Sequence, residues 1–266
     1  VIQEILDNSV HVIMASAPYP RGMREYEEDC SAHADHYWDW IAPFFQATKR
    51  ILHPEGSCVV VIMDKIIDGV MHPYIDELKI NVRKMGLFLI DDIIWHKSNA
   101  LPTVKYSRRP IRTYEHCLWF VKDPELYRWN YDDMRKPYAQ ATLNRYGAVG
   151  NIETLHKRAG GQANQTWVDV QPNEKGAACN NVIYGCRYSG RNPGHPAKFP
   201  EYLPEWFIRA MTAPGQIVVD PFAGSGTTLI EAKKLDRHYI GYEIAKTYIE
   251  RAELDLQGCF AQIQME

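Results

Sequence analysis

Two short stretches carry residue types that could do chemistry. Near the end of the chain, Val218-Val219-Asp220-Pro221-Phe222-Ala223-Gly224-Ser225-Gly226-Thr227-Thr228 runs from an apolar strand over 216–219 into a glycine-rich turn, with a helix opening at Thr227. Two glycines two apart let backbone approach a ligand closely and adopt dihedrals that a Cβ forbids. The helix start adds unpaired N–H groups and the positive end of a dipole. After another strand, His238-Tyr239-Ile240-Gly241-Tyr242-Glu243 ends on a carboxylate. An acid about 20 residues past a glycine turn, at the end of the next strand, suits ribose hydroxyls. Any nucleoside-containing cofactor would fit this pattern, and so would an ordinary strand-to-helix turn. Leu229 stands where G-x-G-x-x-G has its third glycine, and no Gly-Lys-Thr follows, so a phosphate-cradling loop is a poor reading. The second stretch, Ser16-Ala17-Pro18-Tyr19-Pro20, ends a short apolar strand over 10–15. Prolines force a turn there, and ligands of open α/β sheets bind beyond the carboxyl ends of strands.

The intervening elements must bring these turns together. Ile41, Phe44, Phe45, Thr48, Ile51 and Leu52 follow helical spacing, and Pro54-Glu55-Gly56 is expected to stop that helix. Residues 57–63 form a β-branched run that reads as a strand buried on both faces. A helix over about 72–85 closes at Gly86, and strands follow at 87–95 and 116–121. Helices are expected again from Pro200 to Met211 and from Ala245 to Leu256. Such alternation argues for a mainly parallel sheet. Between Asp123 and Pro193 no period holds, yet tryptophans and tyrosines recur, which marks a functional insert rather than a simple disordered linker. The first residue, Val1, is not an initiator methionine, so a leading segment is expected before it.

Composition narrows the class. An apolar fraction of 45% over 266 residues supports a sizeable core, and no run of 18 apolar residues or signal-peptide pattern suggests a membrane. Six cysteines without a C-x-x-C pair argue against structural zinc and a disulfide framework, and point to reduced thiols in a cytoplasmic protein. The net charge of −3 is unevenly spread. Residues 96–200 hold 16 Lys and Arg against 8 Asp and Glu, while the remainder holds 14 against 25. A basic middle between acidic flanks suits a polyanion bound to one region, or a solvated basic loop.

The Asp220-to-Thr228 turn resembles the DPF-x-G-x-G-T-T motif of DNA amino-methyltransferases, and Ser16-Ala17-Pro18-Tyr19 resembles their S-P-P-Y motif. The order of motifs, catalytic first and cofactor last with an insert between, is similar to the permuted β class. The fold implied is α/β: a Rossmann-like, mainly parallel sheet with helices on both faces, the class I methyltransferase fold, with an irregular target-recognition insert. Residues 1–122 would be the catalytic half, 123–193 the insert and 194–266 the cofactor-binding half. By the same resemblance, Asp220, Pro221, Phe222, Gly224, Ser225, Gly226 and Thr227 would line S-adenosyl-L-methionine and Glu243 would hold its ribose. Lys198 and Phe199, in the segment before the cofactor turn, would close over it. Arg108-Arg109-Pro110, with Lys105, Arg112 and His116, resembles a basic segment that grips DNA phosphates; a salt-bridged surface is the alternative.

The resemblance implies methylation of an exocyclic base amine, whose lone pair is delocalised into the ring. The Ser16 hydroxyl and the Ala17 carbonyl would accept hydrogen bonds from the amine and turn its lone pair toward the methyl, with Pro18 shaping the turn and Tyr19 stacking on the flipped base. Serine rather than aspartate at 16 leans toward N4 of cytosine over N6 of adenine. The family has proline where this chain has Ala17, so a catalytically impaired DNA- or cofactor-binding relative is the third expectation. Carbon-5 methylation is disfavoured, because no cysteine follows a proline. Double-stranded DNA is the expected partner, placing the protein at the nucleoid in a prokaryote. The resemblance also admits a homodimer and a cognate restriction endonuclease.

Overall fold

The computed structural model describes residues 2–20, 34–98, 110–142, 144, 173–185 and 200–263. One sheet of seven strands carries the larger compact unit, Val1–Asn130 with Asn181–Glu266. Its strands are β1 (Val10–Ser16), β2 (Leu52–Ile62), β5 (Phe88–Lys97), β6 (Tyr114–Val121), β7 (Val182–Gly185), β8 (Ile217–Asp220) and β9 (His238–Gly241). They stand side by side in the order β7-β5-β6-β2-β1-β8-β9. Every pairing is parallel except those of β6, which runs against both β2 and β5. The helices are α1 (Tyr37–Ile51), α2 (Tyr74–Lys84), α3 (Tyr202–Met211), α4 (Thr227–Lys234) and α5 (Lys246–Ile263).

The period of two along the strands sorts the core into two layers. Ile13 and Ala15 of β1, Cys58, Val60 and Ile62 of β2, and Leu118 and Phe120 of β6 share one cluster with α1 and α2. Val12, Met14, Val59, Val61 and Trp119 alternate with them and are buried as well, facing the opposite side. There Trp119 meets Trp129 at 4.9 Å, and Trp129 meets Trp206 of α3 at 5.7 Å. Helices thus cover both faces, the doubly wound α/β arrangement expected from the sequence. On the first face, the apolar stripe Tyr37, Ile41, Phe44, Phe45, Thr48 and Ile51 of α1 lies inward. Phe45 is the hub, edge-on to Phe44 at 4.8 Å and to Phe120 at 5.7 Å.

Three local features differ from expectation. Helix α1 passes directly into β2 at Leu52, and Pro54-Glu55-Gly56 lies inside the strand as a bulge rather than closing the helix. The register moves from Val10↔Leu52 to Val12↔Ser57 across it. A Cβ on Gly56 would sit 2.8 Å from the Val10 carbonyl oxygen, so the bulge needs glycine. A small hairpin, β3 (Lys65–Ile67) and β4 (Val70–His72), precedes α2. Its turn, Asp68-Gly69, has φ of 48° and 86°, a mirror-image turn whose Asp-Gly signature stood in the sequence unread. Strand β7 lies within the stretch where no period was found, being too short to show one.

Residues 131–180 form the second compact unit, inside the insert expected at 123–193. Among its described residues, a bridge joins Lys136 to Ala177, and Asp132 accepts from Arg135 at 2.7 Å and from Lys175 at 2.8 Å. The Arg135 guanidinium lies over the Tyr131 ring at 4.6 Å.

Replacing Phe45, which is wholly buried, with alanine should cost about 3–5 kcal/mol of stability, read as a lower urea midpoint at unchanged slope. A loss below about 1 kcal/mol would show that α1 does not anchor the sheet as described.

Candidate active site

The two turns singled out in the sequence open at the same end of neighbouring strands. Strands β1 and β8 pair in parallel through Val12↔Val218 and Ile13↔Val219. From β1 the chain proceeds outward to β2, and from β8 it proceeds in the other direction to β9. The connections leave in opposite senses, and such a reversal opens a crevice beyond the carboxyl ends of the two strands. Ser16 ends β1 and Asp220 ends β8, so both turns border that crevice.

The glycine turn is held from within. Asp220 is 1% exposed; its Oδ1 accepts from the Phe222 N–H at 3.0 Å and its Oδ2 from the Thr228 hydroxyl at 2.6 Å. Burial pushes its carboxyl up from the ordinary 3.8 to about 7, against the two hydrogen bonds and with help from the nearby Glu243 charge. Gly224 and Gly226 take φ of 51° and 80°, values that disfavour any Cβ. Gly226 also caps α4, and a Cβ there would come within 2.8 Å of the Ala252 Cβ on α5. Phe222 packs on α1 beside Phe44 at 5.7 Å and Trp40 at 6.4 Å. Glu243 closes the far side. Its Oε2 accepts from the Gly224 N–H, and its Oε1 from the N–H groups of Ile244 and Ala245, all at 2.9 Å. A carboxylate oxygen has about two acceptor sites, which leaves Glu243 room on Oε2 for one further donor. Ser225 and Thr227 are buried, whereas Pro221, Phe222 and Glu243 stay partly open.

On the β1 side, Ser16, Pro18 and Tyr19 are half-buried and Ala17 is buried. The Tyr37 hydroxyl of α1 donates to the Pro18 carbonyl at 3.0 Å, fixing the turn's backbone. The Tyr19 hydroxyl is hydrogen-bonded to Glu115. Burial first, and then the Glu115 carboxylate, hold that phenol well above its ordinary range, so it stays protonated and donates. Glu115 in turn is ion-paired with Lys97 at the end of β5. Neither Glu115 nor Lys97 belongs to a motif; their one sequence signal is an acid near the start of an otherwise apolar strand.

The basic segment behaves differently. Arg112 Nη1 lies 3.1 Å from Asp64 Oδ2. His116 Nδ1 bonds Asp92 at 2.9 Å, and its Nε2 stands 3.5 Å from Asp64. Burial alone would lower the His116 pKa, but Asp92 and then Asp64 raise it above the ordinary value. Both side chains are engaged within the protein, so a phosphate would have to share Arg112 with Asp64. Lys105, Arg108, Arg109, Lys198 and Phe199 lie outside the described residues. Among the described residues no group of His, Cys, Asp and Glu could hold a metal ion, and no helix is long and apolar enough to cross a membrane.

The family model described as DNA methylase, for N6 and N4 enzymes, matches residues 10–254. The chain belongs to this DNA methylase family. Two methylase relatives resemble it along nearly its whole length. The type II methyltransferase M.BglII of Bacillus subtilis is 28% identical over 260 residues, 97% of this chain and 66% of that protein. The type II methyltransferase M.PvuII of Proteus hauseri is 26% identical over 269 residues, 94% of this chain and 78% of the relative. The chain thus spans about two thirds to four fifths of the relatives it matches. Among solved structures, the PvuII DNA methyltransferase (cytosine-N4-specific) superposes with a TM-score of 0.69 at 21% identity, over 98% of this chain and 88% of that one. TTHA0409, a DNA modification methylase of Thermus thermophilus complexed with S-adenosyl-L-methionine, superposes at 0.60 with 23% identity, over 97% and 89%. These likenesses establish the methylase fold.

Because the folded protein binds the Asp220 proton up to about pH 7 and the unfolded chain only to about 3.8, this group's contribution to stability is full below the lower value and is lost as pH rises through the upper one. The stability of Asp220→Asn relative to the unsubstituted protein should therefore improve from about pH 4 to about pH 7 and then level off. Urea unfolding across that range measures it, and a difference independent of pH would mean that the buried carboxyl ionises as easily as in the unfolded chain.

Proposed function

We propose that the chain transfers a methyl group from S-adenosyl-L-methionine to the exocyclic N4 amine of a cytosine flipped out of duplex DNA. The observation that carries this reading is the parallel pairing of β1 with β8, which places a Ser-Ala-Pro-Tyr turn and a glycine turn at one crevice in a chain of the DNA methylase family. The N4 assignment is supported by Ser16 at the first position of the turn and by the name of the PvuII structure. The cofactor assignment is supported by the complexed TTHA0409 structure and by the shape of the site. Two left-handed glycines, a helix start at Thr227 and spare acceptor capacity on Glu243 suit a nucleoside bearing a short amino-acid tail.

When bound, S-adenosyl-L-methionine supplies an electrophilic methyl on a sulfonium sulfur. Pro221, Phe222, Gly224, Ser225, Gly226 and Thr227 would hold it, with Glu243 on its ribose and Asp220 acting through the loop it braces. Ser16 is half-buried, and no partner is recorded for its hydroxyl among the described residues, so it is available to accept from the base amine. The Ala17 carbonyl would take the second N–H, and the two acceptors would aim the nitrogen lone pair without any covalent step. Tyr19 would stack on the extruded base. Lys105, Arg108, Arg109 and Arg112 would supply phosphate contacts and His116 would brace them through Asp92 and Asp64, which predicts binding that weakens steeply with salt. Duplex DNA is the substrate in this reading; a second copy of the chain and a cognate endonuclease are further partners it allows.

Transfer of a tritiated methyl to duplex DNA, followed by nucleoside analysis, tests the base and the atom together. N4-methylcytosine is expected; N6-methyladenine would move the assignment to the other amine, and unlabelled DNA would remove the activity. Ser16→Ala should lower the single-turnover rate by roughly 10²-fold or more with cofactor affinity unchanged by calorimetry. An unaltered rate would take Ser16 out of the mechanism.

One observation favours a second reading, an impaired enzyme: alanine at 17, where the family motif has proline, gives up a fixed φ in the turn. Ala17→Pro should then raise the transfer rate several-fold, by about 1 kcal/mol of preorganisation. An unchanged or lower rate would show that this turn is already set, as the Tyr37 bond to the Pro18 carbonyl suggests.

A further inference from the structure

Strand β6 runs against its neighbours, so its first residues arrive where β1, β2 and β5 end. The register makes this explicit: Ile62, the last residue of β2, faces His116, and Trp95, near the end of β5, faces Glu115. Glu115 is thus delivered to the crevice end of the sheet, yet it is only 6% exposed. Its carboxylate holds two partners, the Lys97 ammonium and the Tyr19 hydroxyl. Lys97 is itself placed by the Trp95 ring, 5.0 Å from its nitrogen. A buried ion pair is a weak stabiliser, since an apolar pair of similar volume usually serves stability as well or better. A fully satisfied buried network does, however, fix the orientation of what it holds. Here the held group is an aromatic side chain of the Ser-Ala-Pro-Tyr turn, pinned at the backbone beside it by Tyr37 and at its phenol by Glu115.

We infer that Glu115, anchored by Lys97, is a positioning residue that locks the Tyr19 ring in place to receive the flipped-out base. The inference rests on the reading of Tyr19 given under the proposed function. An unlocked ring would have to be ordered as the base arrives, which slows the chemical step more than it weakens cofactor binding.

A double-mutant cycle in single-turnover methyl transfer to unmethylated duplex DNA tests this. Tyr19→Phe keeps the ring and removes the hydroxyl that Glu115 holds, while Glu115→Gln removes the charge. Each alone should slow transfer about tenfold, and the combination should be no more than about twofold slower than either, with S-adenosyl-L-methionine affinity unchanged by calorimetry throughout. Since Glu115→Gln leaves the Lys97 ammonium uncompensated and threatens folding, Lys97→Met/Glu115→Gln is run beside it, alone and with Tyr19→Phe, and read in the same way. Additive losses in both series, or full activity of Tyr19→Phe, would reduce Glu115 to a structural acid and overturn the inference. An unsubstituted protein that methylates no DNA would instead fell the functional reading and this inference with it; an active one with additive losses would fell this inference alone.

Discussion

The pairing of β1 with β8 is the contact on which the rest of the molecule depends. The two strands are about 200 residues apart in the chain, and no turn or helix between them forces them together. What does so is burial: Val12, Ile13, Val218 and Val219 are fully enclosed, and helices pack on both faces above them. A parallel pair has no hairpin to set its register, so the apolar pattern must do it. Once β1 and β8 are side by side, chain direction reverses across them and a crevice at their carboxyl ends follows from geometry alone.

Around that crevice, buried polar groups are satisfied by the backbone of the turns they shape. Asp220 folds the glycine turn back on itself through Phe222 and Thr228, and Glu243 links Gly224 to the start of α5. Unpaired buried acids would each cost several kcal/mol or take up a proton, and Asp220 does move in that direction. The same bonds make the loop rigid before any ligand arrives, which favours binding by removing an ordering cost. Tyr37 and Glu115 do the corresponding work on the β1 side, so both walls are set by side chains from elsewhere in the chain.

How much of this was legible in the sequence depended on range. The glycine turn, the Ser-Ala-Pro-Tyr turn and the helices over 37–51 and 202–211 are local patterns, and they were readable because proline, glycine and apolar spacing act within a few residues. The bulge at Pro54-Glu55-Gly56 looked like a helix stop, because a proline next to a glycine does not reveal that its neighbour in space is the Val10 carbonyl. Arg112 and His116 looked like free positive charge, since Asp64 and Asp92, their partners, come from other strands and loops. Glu115 and Lys97 were invisible for the same reason: only the antiparallel direction of β6 brings them to Tyr19. Asp68-Gly69 was the exception, a short-range signal that could have announced its hairpin.

The fit of Gly226 against Ala252 has a consequence for the tail of the molecule. Helix α5 ends the described chain, yet at mid-length it presses on the one position where the cofactor turn becomes a helix. Nothing wider than a hydrogen atom separates them on the loop side. Lengthening or trimming the far end of α5 by a turn leaves that contact intact, whereas rotating the helix by a single residue would drive a larger side chain into the loop. The C-terminal helix therefore serves as a caliper for the glycine turn, tolerant of changes in length and intolerant of changes in phase.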